Sequence, residues 1–444
     1  MQMTELAQIM KKCGIVGAGG AGFPSYAKLN ENADTVILNC AECEPLFRLH
    51  RQLLAKFPQE ILTALDTIRD AVGADRAIIA IKPSYTGAIE EVESRLGSFE
   101  KISISRLPEI YPAGDEIITI YETTGRVVKP GKLPISEGVI VYNVETVLNT
   151  YYAIREMRPV CFKYITVAGE VKNPHTFRAP VGITLGEAIE LAGGETAEDC
   201  EILSGGVMTG RLASRRDTVT KTTNAVLVLP KNHPVIMKKK TSSKINIYRA
   251  MSACCQCRMC TDLCSRNLLG YPIEPHSFMR AAAKGMASDT PAMLNTAYCS
   301  QCKLCEMYAC QQGLSPGSLI GIVRGEFRKR GVRAAGEPVF SGVKPEREYR
   351  RVPMKRLISR LGIAKYDREA PFGDAPINPD GLKIMLSQHI GQPAKPVCAV
   401  GAAVHAGETL AVCGGLGADI HCPADGTVEE ITDKYIFVKV RQVG

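Results

Sequence analysis

Apolar positions along the chain fall into short blocks whose period keeps switching. Residues 4–12 carry a short helical pattern that runs into a glycine-rich loop, and Thr35–Asn39 (TVILN) is a continuous apolar run of strand length. Leu53, Leu54, Phe57, Ile61, Leu62, Leu65 and Ile68 lie near helical spacing and predict a helix over 52–72. Strand patterns follow at 76–82 (RAIIAIK), 101–107 (KISISRL) and 138–146 (GVIVYNVET), with helices predicted over 86–96 and within 111–126. Strands alternating with helices indicate a largely parallel α/β sheet. Beyond residue 163 the pattern becomes closely spaced strand runs around one short helix at 185–192, which reads as a small β-grasp unit. From 381 onward only short β segments remain.

Composition adds three things. A chain of 444 residues has room for roughly two to four domains. No apolar run reaches the ~18 residues of a membrane-spanning helix. The opening residues, MQMTELAQIMKKCG, lack the apolar core of a secretory signal, so a cytoplasmic chain that does not span a membrane is expected. Between Arg324 and Arg360, twelve Lys or Arg face four Asp or Glu, a surplus equal to the whole net charge of +8. This stretch reads as a solvated linker with a basic helix (RRVPMKRLISRLG); docking to an acidic partner or nucleic acid is the alternative. With no Trp and 6% aromatics there is little material for base stacking, and no nucleic-acid partner is expected.

The densest chemistry lies between Cys254 and Cys310, which hold nine of the 17 cysteines. Cys254, Cys257, Cys260 and Cys264 are spaced x2, x2, x3, and Cys299, Cys302, Cys305 and Cys310 are spaced x2, x2, x4. Three thiolates at x2 steps wrap one corner of a cubane, and the fourth cysteine of such a run ligates the other cluster in two-cluster ferredoxins. The expected sites are two [4Fe–4S] clusters, one on Cys254, Cys257, Cys260 and Cys310, the other on Cys299, Cys302, Cys305 and Cys264. Zinc takes paired cysteines with a longer gap between pairs, which fits less well. Ser265 and Gln311 follow the fourth cysteines where ferredoxins carry Pro, so the exchange of fourth ligands is the less secure part.

Four segments in the first 150 residues, GAGGAGFP, NCAECEP, YPAGDE and YNVET, resemble in order and spacing the flavoprotein subunit of respiratory complex I and the C subunit of Rnf electron-transport complexes. The resemblance implies FMN reduced by NADH. It puts Gly17, Gly19, Gly20, Gly22 and Lys28 at the FMN phosphate and ring, and Phe23 near the nicotinamide. It puts Asn39, Glu42, Glu44, Asn143 and Thr146 along the flavin, and Tyr111, Gly114, Asp115 and Glu116 beside the nucleotide pocket. No acid–base triad is implied. Ala41 departs from the acidic residue of the complex I pattern, and Cys40 with Cys43 forms a CxxC that fits packing better than a redox or metal role.

The later modules extend the resemblance. Residues 163–230 are similar to the SLBB β-grasp module of the same families, a spacer in which His175 and His233 are turn or surface residues. The helical PHSFMRAAAKG between the cysteine runs resembles ferredoxin-like connections, with His276 outside the ligand set. The end of the chain, with the cadence V-x-x-G-x-x-L and P-x-x-G-x-V, is similar to the barrel-sandwich of lipoyl carriers, but its GGLGAD tip has no lysine to carry an arm. The expected architecture is multidomain α/β and α+β. It comprises an FMN/NADH-binding α/β domain (1–160), an SLBB β-grasp module (161–235), an α-helical two-[4Fe–4S] ferredoxin-like module (245–330), a basic linker (331–380) and a C-terminal barrel-sandwich hybrid (381–444).

This module order resembles the cobalamin reductases of propanediol-utilisation bacterial microcompartments. It implies an NADH-dependent flavo-iron–sulfur enzyme that reduces cob(III)alamin toward cob(I)alamin for a corrinoid adenosyltransferase inside a microcompartment, with a shell protein as a second candidate partner. The alternatives are an Rnf-type NADH:ferredoxin electron-transfer protein and a cluster-bearing conduit or scaffold without enzymatic activity.

Overall fold

The computed structural model describes residues 1–284, 289–333, 336–375 and 377–442. The α/β domain begins with α1 (Met3–Lys12), which buries Leu6 and Met10. Then come β1 (Thr35–Asn39), α2 (Leu49–Lys56), α3 (Pro58–Val72), β2 (Arg76–Ile81), α4 (Thr86–Leu96) and β3 (Ile102–Arg106). They are followed by β4 (Ile110–Tyr111), α5 (Glu116–Thr124), β5 (Val139–Asn143) and α6 (Val144–Glu156). The expected helix over 52–72 is divided at Pro58, which occupies the first turn of α3 because it has no N–H to continue α2. Ile61, Leu62, Leu65 and Ile68 of α3 are fully buried, each contributing about 1.5–3 kcal/mol by leaving water. The predicted strand at 138–146 ends at Asn143, whose side chain caps α6, so Thr146 lies on a helix. Parallel strands β3-β2-β1-β5 form the sheet. Asn39 and Asn143 end up as register partners at its carboxyl edge.

The second module carries β6 (Phe162–Gly169), β7 (His175–Pro180), α7 (Leu185–Leu191), β8 (Cys200–Ser204), β9 (Arg211–Ala213) and β10 (Ala225–Pro230), paired in the order β7-β6-β10-β8-β9. Thr184 and Glu187 make a capping box at the start of α7. His175 stacks on Phe177, and His233 caps the next helix, α8 (Pro234–Lys240). Helix α9 (Ser243–Ala253) ends at Cys254. The cysteine module then contains α10 (Met259–Asp262), α11 (Ser265–Leu268), α12 (Pro275–Ala283), α13 (Thr290–Leu294), a π-helical turn over Cys305–Ala309 and α14 (Pro316–Lys329). Gly285 of the expected helical connection lies outside the described residues.

The basic stretch is not a solvated linker. Val352–Pro353 (β11) pairs antiparallel with β4, and α15 (Met354–Leu361) follows at once. Arg347 is buried, ion-paired with Glu122 and set over the Tyr121 ring. Leu357, Leu361, Ile363 and Tyr366 share a core with Leu203 and Leu227 of the β-grasp and Leu304 of the cysteine module. Spacing of the apolar positions within RRVPMKRLISRLG presents one face to three modules, and the charge surplus hid it. Finally β12 (Gly381–Met385), β13 (Lys395–Pro396), β14 (Ala403–Val404), β15 (Thr409–Val412), β16 (Ile420–His421), β17 (Gly426–Ile431) and β18 (Tyr435–Val440) form two small sheets, β12-β18-β17-β14 and β13-β15-β16. Their apolar faces merge with the β-grasp core in one cluster that includes Ile165, Val226, Leu382 and Val438.

Two buried lysines hold the modules together. Lys163 of β6 is ion-paired with Glu145 in the first turn of α6, both side chains 1% exposed, and its Nζ also donates to Asn224 Oδ1 at 2.8 Å and Tyr164 O at 3.0 Å. Lys221 donates to the carbonyls of Gly14 (2.7 Å) and Asp419 (2.8 Å), linking the first, second and last modules. Removing one partner of a buried pair leaves an uncompensated charge. Glu145→Leu is therefore expected to destabilise the chain by about 3–5 kcal/mol, read as a lowered denaturation midpoint.

Candidate redox site

Strand β1 has β2 on one side and β5 on the other, so its carboxyl end is the point where the connections diverge, the position at which open α/β sheets take ligands. Asn39 and Asn143 stand there side by side. Asn39 Nδ2 donates to Gly114 O at 2.9 Å; Asn143 Oδ1 accepts from Glu145 N at 2.9 Å, and its Nδ2 lies 2.8 Å from His50 Nε2. The glycine-rich loop folds over this edge. Gly17 N donates to Phe23 O (2.9 Å) and Ala18 N to Thr146 Oγ1 (3.0 Å). A Cβ at Gly19 would run into the Asn143 amide, whereas one at Gly20 would meet nothing within 4 Å. Gly19 thus presses the loop onto the start of α6 and Gly20 faces open space. Lys28 Nζ donates to Val141 O at 2.8 Å and to Glu116 Oε1 at 2.7 Å.

Three buried polar atoms here have no partner among the described residues: both carboxylate oxygens of Glu42 and His50 Nδ1. His50 is pushed toward its neutral form by burial, with Glu42 opposing. Unpaired buried groups at a ligand crevice are the mark of a site that a polar ligand completes. His50 was missed from the sequence because nothing in FRLH distinguishes it from an ordinary helix start.

Several expected residues face elsewhere. Glu44 accepts from Met208 N (2.9 Å), Thr209 N (2.7 Å) and Thr209 Oγ1, so its carboxylate is spent on the β-grasp loop rather than on the crevice. Tyr111 Oη donates to Cys302 O at 2.5 Å, reaching into the cysteine module. Asp115 caps α5 and holds Arg266 through both carboxylate oxygens at 2.8 Å. Cys40 is fully buried and Cys43 Sγ accepts from Gly114 N at 2.5 Å, a packing role for the CxxC.

The cysteine runs have matching backbones. Gln256 and Arg258 in the first loop, and Gln301 and Lys303 in the second, all have left-handed φ, at 55°, 64°, 61° and 64°. Four non-glycine residues in that region at equivalent positions turn successive amides toward one concavity. Gln256 Nε2 donates to Cys254 Sγ at 3.2 Å, and Gln301 Nε2 donates to Cys299 Sγ at the same distance. Cys254, Cys257, Cys260 and Cys310 line one pocket. The Cys260 thiol is pushed up to about 12 by burial and then by Cys310, Cys254 and Cys257. The Cys264 thiol is pushed up to about 12 by burial first, with Cys302 and Cys299 among its neighbours. Each fourth cysteine therefore neighbours the opposite run. Among the described residues no three Cys, His, Asp or Glu side chains converge as ligands of a single ion. The first run is the outer one, with Cys255, Cys257 and Arg258 exposed; Leu304 and Cys305 of the second are buried.

Four family models match the chain: the Nuo51 FMN-binding domain over 10–152, the SLBB domain over 164–212, a 4Fe-4S dicluster domain over 253–315 and the RnfC barrel-sandwich hybrid domain over 364–442. The cobalamin reductase PduS of Citrobacter freundii is 39% identical over 97% of this chain and 95% of its own. That of Salmonella typhimurium is 38% identical over 99% and 97%. The chain belongs to the cobalamin reductase family. The C subunit of the Na(+)-translocating ferredoxin:NAD(+) oxidoreductase complex of Acetobacterium woodii is 29% identical over 62% of this chain and 61% of its own. As a member of this family the chain is a flavo-iron–sulfur electron-transfer oxidoreductase with FMN and two [4Fe–4S] clusters, and the crevice and both cysteine loops fit those groups. No helix among the described residues is long and apolar enough to cross a membrane.

Both Asp115 carboxylate oxygens accept from the one Arg266 Nη2, with side chains 11% and 13% exposed. A double-mutant cycle on Asp115→Ala and Arg266→Ala is expected to give a coupling of about 1.5–3 kcal/mol in unfolding, the range for hydrogen bonds to charged groups.

Proposed function

We propose that the chain takes electrons from NADH in the α/β crevice and passes them through the inner and then the outer cluster to cobalamin, converting cob(III)alamin toward cob(I)alamin. The observation that carries this reading is positional. The second cysteine run is bonded to the α/β domain through Tyr111–Cys302, and Asp115–Arg266 fixes the helix that follows Cys264, the fourth ligand assigned to the inner cluster, while Cys255 and Cys257 of the first run face solvent. When bound, FMN accepts a hydride and releases electrons singly, which matches a two-electron donor to one-electron carriers.

In this reading Gly19, Gly20 and Gly22 cradle the FMN phosphate with backbone amides, Gly17 closes the loop through its bond to Phe23 O, and Lys28 holds the ring side of the site against Glu116. Asn39, Asn143 and Thr146 brace the crevice walls, and the free Glu42 and His50 atoms meet polar edges of the ligand. Phe23 borders the nicotinamide. Gly114 keeps the crevice floor flat, since a Cβ there would overlap the Ala41 carbonyl. Cys299, Cys302, Cys305 and Cys264 hold the inner cluster; Cys254, Cys257, Cys260 and Cys310 hold the outer one. Cobalamin as acceptor is supported by the full-length similarity to cobalamin reductases; a corrinoid adenosyltransferase partner and a place in a microcompartment, with a shell protein as further partner, complete the reading.

Anaerobic assays with purified protein test the whole. NADH is expected to reduce cobalamin, and reduction of ferredoxin but not cobalamin would replace this reading with an Rnf-type role. Gly20→Val, whose Cβ would meet no protein atom within 4 Å, is expected to remove most of the bound flavin while iron content stays at two four-iron clusters. Hydrogen bonds to cluster sulfurs raise reduction potentials. Gln256→Leu should therefore lower the potential of the outer cluster alone and Gln301→Leu that of the inner one, each followed by EPR during a redox titration.

A further inference from the structure

No acidic residue occurs between Asp217 and Asp262, a stretch that contains eight Lys or Arg. α8 and α9 lie within it, and Cys254 of the outer run is the C-cap of α9. Only Asn246 and Ala250 of α9 are buried. Ile245, Tyr248 and Met251 are 51%, 58% and 58% exposed, and Met237 on α8 is 56% exposed. Positions 245, 248 and 251 are three residues apart, so these side chains follow one another along the helix toward the exposed Cys255 and Cys257. Apolar side chains gathered on one exposed helix face mark an interaction surface.

The charges around the stripe point to the kind of partner. The cations of α8 are engaged within the chain: Lys238 with Glu306 O, Lys239 with Gly210 O, Lys240 with Glu201. Lys244, Arg249 and Arg258 stay exposed beside the stripe and the outer cysteine loop. The face is a helix surface rather than a hollow, and small ligands need a concave site. An apolar centre with a cationic rim matches a protein whose own rim is acidic.

We propose that the outer face of α9, together with the Cys255–Arg258 loop, is the docking surface for an acidic protein that carries the terminal one-electron acceptor. The proposal rests on the electron path above and adds where that path leaves the molecule. Docking there sets the acceptor against the outer cluster. A small acceptor in free solution reaches the same loop without touching Tyr248 or Met251.

The test compares two acceptors under NADH: free hydroxocobalamin, and a corrinoid adenosyltransferase loaded with cob(II)alamin. Tyr248→Asp/Met251→Asp is expected to slow transfer to the protein-held corrinoid by about tenfold or more and to leave the rate with free hydroxocobalamin within about twofold. The milder Tyr248→Ser/Met251→Ser should act in the same direction, with flavin and iron contents of both variants equal to wild type. Added salt should slow only the protein-held reaction, because screening weakens a charged encounter. Equal effects on both acceptors, or on neither, would overturn the docking surface while leaving the electron path intact. Loss of a dimer in the variants would assign the face to a second copy, and loss of binding to phosphatidylserine vesicles would assign it to a membrane; either result overturns the proposal. A wild-type protein that reduces neither corrinoid would remove the functional reading and the docking surface with it.

Discussion

Electron transfer between modules depends on holding them at a constant separation, and one short segment does much of this. The loop from Tyr111 to Glu116 closes the nucleotide crevice with Gly114, caps α5 with Asp115, and reaches the inner cysteine loop with Tyr111 and the helix after Cys264 with Asp115. β11 pairs with the same segment from the other side, Val352 opposite Tyr111, and Arg347 anchors that strap through Glu122. The contacts that seat the inner cluster against the flavin crevice start from these six residues.

Besides the shared apolar cores, several joints between modules carry charged groups. Glu145–Lys163, Glu44 with the amides of Met208 and Thr209, and Lys221 with two carbonyls each set a charge against groups of a neighbouring module. Such pairs add little net stability over an apolar contact, because desolvation offsets the attraction. Their geometry is strict, however. The Glu145 pair seats the β-grasp on the helix whose first turn also receives the glycine loop, through Thr146. Lys221 ties the loop's approach at Gly14 to the barrel-sandwich, and Gly22 O accepts from Ile390 N of that last module at 3.1 Å. The C-terminal module thus buttresses the glycine loop from the far end of the chain.

The two clusters have equivalent loops in unequal surroundings. Left-handed Gln and basic residues recur in each, and each glutamine reaches its first cysteine. Yet Cys305 is buried beneath Leu304 and Met307, and Cys257 lies in solvent. Sequence symmetry made two sites, and burial made one an inner station and the other an outer one.

Much of this was legible before any coordinates. Strand Thr35–Asn39 and helix Thr86–Leu96 occur where the apolar period put them, since a two- or 3.6-residue repeat reflects the one neighbour every element has, the core. The cysteine spacing announced two clusters because local loop geometry alone decides it. Long-range pairing was illegible. Glu44 looked like a site residue and joined the β-grasp; the basic stretch looked like free chain and became a strap; His50, Arg266 and the paired glutamines carried no local signal at all. A charge or amide takes its role from whatever the fold sets within about 3 Å of it, and that partner lies anywhere from two to more than 150 residues away, as Gln256–Cys254 and Asp115–Arg266 show. The sequence by itself determined the elements, the modules and the cluster chemistry; the tertiary structure alone decided which module touches which, because the side chains that join them meet only in the folded chain.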